Sequence, residues 1–469
     1  MRKAKIVCTI GPVSANKKVI RALVGSGMDV ARLNFSHGDY QFHRQALSLV
    51  REEARKQKRV VSVLQDLQGI KIRIGEAESG GVVLKAGDEI SLFPGYGIST
   101  SESLFISYPA LLKDVHKAER VLLDDGLIQL EVTGKTQKAL KAKVIEGGFL
   151  KPKKGVNLPS SKISLHAFTP KDKRDLEFGL SMQVDYIAIS FVRTADDIET
   201  VLRWAKRRGL KLPPLIAKIE KPEALDNIDA ILDAVEGIMV ARGDLGVEMP
   251  AERVPIIQKM LIDCANKKGK LVITATQMLE SMTQHMKPTR AEASDVANAV
   301  LDGTDALMLS AETASGKYPV ESLRMMDTIT RYTEEHFLHK VETSYEIGCS
   351  FPEAVADGAC KAAYDIGAKA IVVFTNKGFT SRLISKLRPL VPVIAFTPDE
   401  EVLRRMPLYW GVCGRLIRRK DLRILGPGFM AEIERALLKE ELVKRGDNIV
   451  FVASSPFLGN PNIIRLRTL

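Results

Sequence analysis

From residue 5 onward, short and almost wholly apolar runs alternate with longer segments whose apolar positions recur at helical spacing. The runs read "KIVCTI", "DVARLNF" and "VVSVLQDL", then, after an interruption, "DYIAISFV", "PLIAKIE", "GIMVARG", "KLVITATQ" and "DALMLS". Continuous apolarity marks strands buried on both faces, the condition of a parallel sheet covered by helices. Segments such as "PEALDNIDAILDAV" and "VPIIQKMLIDCANKKG" supply the helical pattern between them. Strands that each lead to a helix predict a parallel (β/α)8 barrel. An open doubly wound sheet also alternates, but no Gly-rich dinucleotide fingerprint follows the first run. The barrel is the better reading.

The interruption has a different texture. "GVVLKAGDEISLF" and "LLDDGLIQLEV" alternate apolar and polar positions between Gly and Asp turns, as a small all-β domain does. After residue 340 further strand–helix units follow, among them "AIVVFTNKG", "VPVIAFTPDEEVLRRM" and "DNIVFVASS". The expected fold class is therefore α/β: a TIM barrel over residues 1–70 and 153–335, an inserted all-β lid domain over 71–152, and a C-terminal α/β domain over 336–469. An insertion at the strand ends of a barrel is well placed to close over a site.

Composition narrows the class. Among 469 residues, 45% are hydrophobic but only 6% aromatic, which suits aliphatic α/β cores. No apolar run approaches the ~20 residues needed to cross a bilayer, and the start "MRKAKIVCTIGP" shows no export signal. The five cysteines have no paired metal or redox spacing, which points to a reducing, cytoplasmic setting. The net charge of +12 could advertise a nucleic-acid partner. The basic clusters "RWAKRR" at 203–208 and "RLIRRK" at 415–420 carry no aromatic interleaving, so pockets for anionic metabolites are the better reading.

A barrel's active site forms at the C-terminal ends of its strands, so polar residues at those ends are the candidates. "ARLNFS" gives Arg32, Asn34 and Ser36 at period two, and "LQDLQG" gives Asp66, followed by Lys71 and Arg73. "AISFV" gives Ser190, "AKIE" gives Lys218 and Glu220, "VARGD" gives Arg242, Gly243 and Asp244, and "ITATQ" gives Thr274 and Thr276. A lone Arg or Thr at a strand end is more often a cap than a catalyst. Coincidence on six strands at one end is hard to dismiss. Glu220 and Asp244, with no His or Cys beside them, offer hard oxygen ligands suited to magnesium or manganese. Arg32, Lys71, Arg73, Lys154 and Lys218 would surround an anion. A divalent cation in a cationic cradle suits phosphoryl transfer, although no Walker motif or protein-kinase loop occurs. A magnesium-dependent lyase or aldolase acting through an enolate is the alternative within the same barrel.

The stretches "KIVCTIGP", "ARLNFSHG", "LIAKIEKPEAL", "GIMVARGDLGVE", "TATQMLESM" and "PTRAEASDVANAVLDGTDALMLSAETA" resemble those of the pyruvate kinases, in family order over nearly the whole chain. The resemblance implies a homotetramer that transfers phosphate from phosphoenolpyruvate to ADP, giving pyruvate and ATP with Mg2+ or Mn2+. It implies that Arg32 and Lys218 handle the phosphoryl group and that Glu220 and Asp244 hold the metal. Thr276, with Gly243, Asp244 and Ser190, would bind the substrate, and Asn34, Ser36, His37, Arg73 and Lys154 the nucleotide. Asn34, Ser36 and Asp66 look like a vestigial potassium site. Where potassium-dependent members carry Glu, this chain reads "GIKIR" and has Lys71, so potassium is not expected to be required.

Overall fold

Alternate residues of the apolar runs go to two different cores, and that division makes the barrel. Ile6, Cys8, Ala31, Leu33, Ala217 and Ile219 pack outward in one buried cluster with the helices. Val7, Val30, Leu64, Ile216, Met239 and Met308 meet one another in a second. Strand side chains alternate between faces, so the second set lines the inside.

The computed structural model describes residues 1–159, 161, 163–165, 167–337, 350–417, 427–454 and 461–469. The stretch just beyond residue 337, near the expected start of the third domain, lies outside them, as does the end of the basic cluster at 415–420. The barrel strands are β1 (Lys5–Thr9), β2 (Val30–Asn34), β3 (Ser62–Asp66), β4 (Tyr186–Ile189), β5 (Leu215–Ile219), β6 (Gly237–Ala241), β7 (Leu271–Ala275) and β8 (Ala306–Leu309). They close into a parallel barrel in which each strand pairs with its neighbours in sequence. The register sets Asn34 beside Asp66, and Asp66 beside Ala188.

The expected helix "PEALDNIDAILDAV" is two, Glu223–Asp226 and Ile228–Ala234. Asn227 stands between them with φ −111° and ψ 12°, and its side-chain amide donates to the Glu223 carbonyl. Asn competes for backbone partners in this way, which is why it interrupts helices. The segment Val254–Lys267 is one helix, with Pro255 in its first turn where no N–H is needed.

Inserted between β3 and β4 is a six-stranded sheet with its own core of Leu92, Leu104, Ile106, Val121, Leu130 and Val144. It takes its last strand from Val156–Asn157, which pairs with Arg120–Leu123. Beyond the barrel, five strands form a separate sheet ordered Val412–Leu416, Val393–Thr397, Ala370–Phe374, Asn448–Ala453, Ile463–Thr468. This C-terminal unit covers the starts of the barrel strands. The Lys5 ammonium donates to the Val412 carbonyl at 2.8 Å, and the Tyr186 hydroxyl to that of Arg405 at 2.8 Å. The opposite, C-terminal strand ends face the inserted sheet. Among the described residues no helix is long and apolar enough to cross a membrane.

Candidate active site

Following the inward series past its apolar layer gives Arg32 on β2, Asp66 on β3, Ser190 after β4, and Lys218 and Glu220 on and after β5. The polar residues meet because the same period that buries Val30, Leu64 and Ile216 continues beyond them. Asp66 is the hub. Its Oδ2 accepts from the Arg32 guanidinium at 2.7 Å, and its Oδ1 lies 3.3 Å from the Lys218 ammonium. Lys218 also reaches Glu220 Oε1 at 2.7 Å and donates to Ser190 Oγ at 2.7 Å. A second Arg32 nitrogen donates to Thr9 Oγ1 at 2.9 Å, and Thr9, at the end of β1, is not among the residues expected from the sequence. Glu220 Oε2 accepts the Phe191 amide at 2.6 Å, and Phe191 holds φ +56° to present it.

On the far side of β5 the chain leaves the strand pattern. Residues 242–248 form a short helix after β6, so Arg242 does not continue the inward series. Its guanidinium turns back to the Thr276 carbonyl at 2.8 Å and to Asp295 at 2.6 Å. Thr276 needs that clamp, because it is β-branched and sits at φ +67°, with Gln277 at φ +54° behind it. Thr274 and Thr276 therefore part company at the strand end. Thr274 lies fully buried against Thr304, whereas the left-handed turn swings Thr276 over to accept the Gly243 amide at 2.7 Å.

The nucleotide-side candidates gather under the insertion. Arg73 is bridged to Gly155, which brings it beside Lys154 where the chain leaves the lid. The Lys154 ammonium pairs with Asp124 at 2.6 Å. The His37 imidazole is pushed below its ordinary pKa by burial and by Lys71, Arg73 and Arg32, which shows that these cations share one neighbourhood. Asn34 Oδ1 accepts the Ser36 amide at 3.1 Å. Lys71, half-buried, has no ion-pair partner among the described residues. Glu76 pairs with Lys153, and Asp66 with Arg32 and Lys218. A cleft between lid and barrel is lined by Lys71, Asp125, Asn157, Phe191, Asp244 and Glu248.

The electrostatics are those of a site short of positive charge at one point. Burial opposes the charge of Lys218, but Asp66 and Glu220 outweigh it and hold the ammonium firmly protonated. Burial pushes Glu220 up to about 7, and Asp244 and Asp66 push the same way against Lys218. Asp244 is raised by burial and then by Asp66 and Asp125, and its carboxylate has no hydrogen-bond or ion-pair partner among the described residues. Two neighbouring carboxylates, one of them unpartnered, fit a hard divalent cation. No group of three His, Cys, Asp or Glu side chains stands ready among the described residues. A cation held by Glu220 and Asp244 would keep positions open for substrate oxygens.

The family model of the pyruvate kinase barrel domain matches residues 1–323, and that of the pyruvate kinase alpha/beta domain matches residues 353–466. A pyruvate kinase of Geobacillus stearothermophilus is 42% identical over 476 residues, spanning 100% of this chain and 80% of that one. A pyruvate kinase of Mycobacterium tuberculosis is 42% identical over 474 residues, spanning 100% and 98%. A crystal structure of a pyruvate kinase from Cryptosporidium parvum superposes with a TM-score of 0.93 at 35% identity, covering 100% of this chain and 96% of that one. The chain belongs to the pyruvate kinase family, the transferases that move a phosphoryl group from phosphoenolpyruvate to ADP in glycolysis.

Proposed function

We propose that the barrel, residues 1–70 and the chain after Asn157 up to 335, carries out this transfer with Mg2+ or Mn2+, that the inserted sheet closes over it, its expected bounds 71–152 extended by the strand Val156–Asn157, and that residues 336–469 serve assembly. Glu220 and Asp244 would hold the cation, whose charge when bound offsets that of the phosphoryl and enolate oxygens. Arg32 and Lys218 bind the phosphoryl group from two sides. The observation that carries this reading is their shared anchor, since both cations are fixed by Asp66 and neither can turn away from the site. Lys218 then follows the phosphoryl group in transit, and Thr276 with the Gly243 and Asp244 amides holds the substrate carboxylate. Ser190 orients Lys218. Asn34, Ser36, His37, Arg73 and Lys154 receive ADP.

Potassium is not required on this reading, because Lys71 brings its own cation to the position. Homotetramer assembly is supported by the edge strand Ile463–Thr468, exposed along its whole length, and by Phe351, 86% exposed on the same unit. A cytoplasmic setting is supported by free Cys8, Cys264, Cys360 and Cys413. The test is a coupled assay for ATP from phosphoenolpyruvate and ADP, with Mg2+, with Mn2+ and with chelator. Pyruvate released without ATP would favour an enolate lyase instead.

A further inference from the structure

Each proposed metal ligand is followed, at close range in sequence, by a buried charged residue that the chemistry does not use. Lys221 comes directly after Glu220, and Glu248 stands one helical turn after Asp244, on the same side of the helix Arg242–Glu248. Both are nearly inaccessible, and they pair with each other at 2.7 Å. Glu248 has a second partner. The same oxygen, Oε1, accepts the side-chain amide of Asn157 at 2.8 Å, while Oε2 is buried with no hydrogen-bond partner. Asn157 belongs to the inserted sheet. Among the described residues, its amide makes the only direct side-chain hydrogen bond between that sheet's strands and this helix.

We propose that Asn157 and Glu248 form the latch that holds the lid closed, with Lys221 supplying the countercharge that makes Glu248 a fixed acceptor. Register explains the leverage. Asn157 pairs with Leu122 and Val156 with Leu123, and the next residues, Asp124–Gly126, turn back over the site. Asp124, Asp125 and Gly126 all hold positive φ, and a Cβ on Gly126 would stand 3.8 Å from Val247 of the helix. Drawing Asn157 onto Glu248 therefore brings the turn down beside Val247, with Asp124 still holding Lys154 at 2.6 Å. The helix that offers Asp244 to the metal at its start offers the latch at its end. Glu248 and Asn157 are thus positioning residues that act on the lid and leave the proposed metal ligands as they are. The inference rests on Glu220 and Asp244 being the metal ligands proposed above.

Asn157→Leu and Asn157→Asp separate a latch from a merely structural role, because both keep the shape of the side chain. A latch ranks Asp below Leu, since a carboxylate facing Glu248 repels it. A role in local polar packing ranks Leu below Asp. Hydrogen exchange of segments 120–128 and 155–158 would be followed with and without Mg2+ and ATP, alongside steady-state kinetics. The wild type should gain protection in both segments; the Leu variant should gain less and the Asp variant least. The Michaelis constant for ADP should rise ~10-fold for Asn157→Leu, the scale of a hydrogen bond to a charged group, and further for Asn157→Asp, with a smaller fall in turnover. Mn2+ affinity should stay unchanged in both. Full protection in either variant, or the reverse ranking, overturns the latch. Lost Mn2+ affinity also overturns it, because the effect would then run through the metal site. Failure of the metal assignment itself would show instead as normal Mn2+ binding in Glu220→Gln.

Discussion

The Lys218 ammonium and Glu220 Oε1 stand 2.7 Å apart at the mouth of the barrel, while Ile219 between them is buried in the outer core. A lysine and a glutamate on one face of a buried strand make sense only if both are needed at one point. Lys218 is fixed by Asp66, Glu220 and Ser190 before any substrate arrives, so it costs no reorganisation during transfer.

Lys218→Met should therefore lower turnover ~10²–10³-fold, the scale seen when a preorganised transition-state partner is lost. The Michaelis constant for phosphoenolpyruvate should rise much less, because Arg32 keeps its own bond to Asp66. Steady-state kinetics decide, with exchange of the pyruvate methyl protons showing whether enolisation survives. An unchanged turnover number would remove Lys218 from the chemistry.

Glu220→Gln and Asp244→Asn should each weaken Mn2+ binding ~10-fold or more, judged against the losses that follow even outer-sphere changes. Asp244 has no protein partner to lose among the described residues, so Asp244→Asn should leave thermal stability nearly intact. Glu220→Gln gives up the pair with Lys218 and should be less stable. Paramagnetic relaxation of water by Mn2+ checks the affinities. Two inactive variants with normal Mn2+ binding would dismiss the ligand assignment.

The eight barrel strands were legible because burial on both faces leaves short apolar runs, most of them followed by a helical pattern. Arg32, Asp66, Ser190, Lys218 and Glu220 were legible because they prolong the inward period. Thr276 was legible as a polar residue at a strand end, but the left-handed turn that brings it to Gly243 was not. Arg242 lies at the strand end but turns to clamp that same segment, because the helix begins at that residue. The Asn157–Glu248 contact joins residues 91 positions apart in different units. The only sequence trace of it is in "IEK" and "GDLGVE", where a charge follows each proposed metal ligand within four positions.

A stability prediction follows from the junction with the C-terminal unit. Lys386 is fully buried, 2.5 Å from Asp305 and 3.0 Å from Asn266 Oδ1, with Arg388 and Arg382 adding positive charge nearby. Burial drives its pKa down to about 7, against the pull of Asp305. Between about 7 and the unfolded value of ~10.4 the unfolded chain binds more protons, so this residue's contribution to stability rises with pH across that window. The melting temperature of the wild type relative to Lys386→Met should rise by ~2 °C or more from pH 7 to pH 10. A constant difference would mean that Lys386 keeps its proton throughout.

The last prediction concerns potassium. Members of the family that need it resemble one another in carrying Glu where this chain has Lys71, and Thr where it has Leu67, which is buried. The acidic partners that could have tied Lys71 down are taken, Glu76 by Lys153 and Asp66 by Arg32 and Lys218. Burial lowers its pKa, and Arg73 and Lys218 add to that, while Asp244 and Asp125 favour the charged form. An ammonium and a potassium ion carry the same charge, so either can offset phosphate repulsion as the lid closes. Initial rates in tetramethylammonium buffer should therefore change less than ~2-fold when potassium chloride is added, below ~0.5 kcal/mol of barrier. Lys71→Glu should lower the rate and make it potassium-responsive, since a carboxylate there adds to the charge that a cation must balance. A rise of about 10-fold in the wild type, equivalent to ~1.4 kcal/mol, would show that Lys71 does not replace the ion.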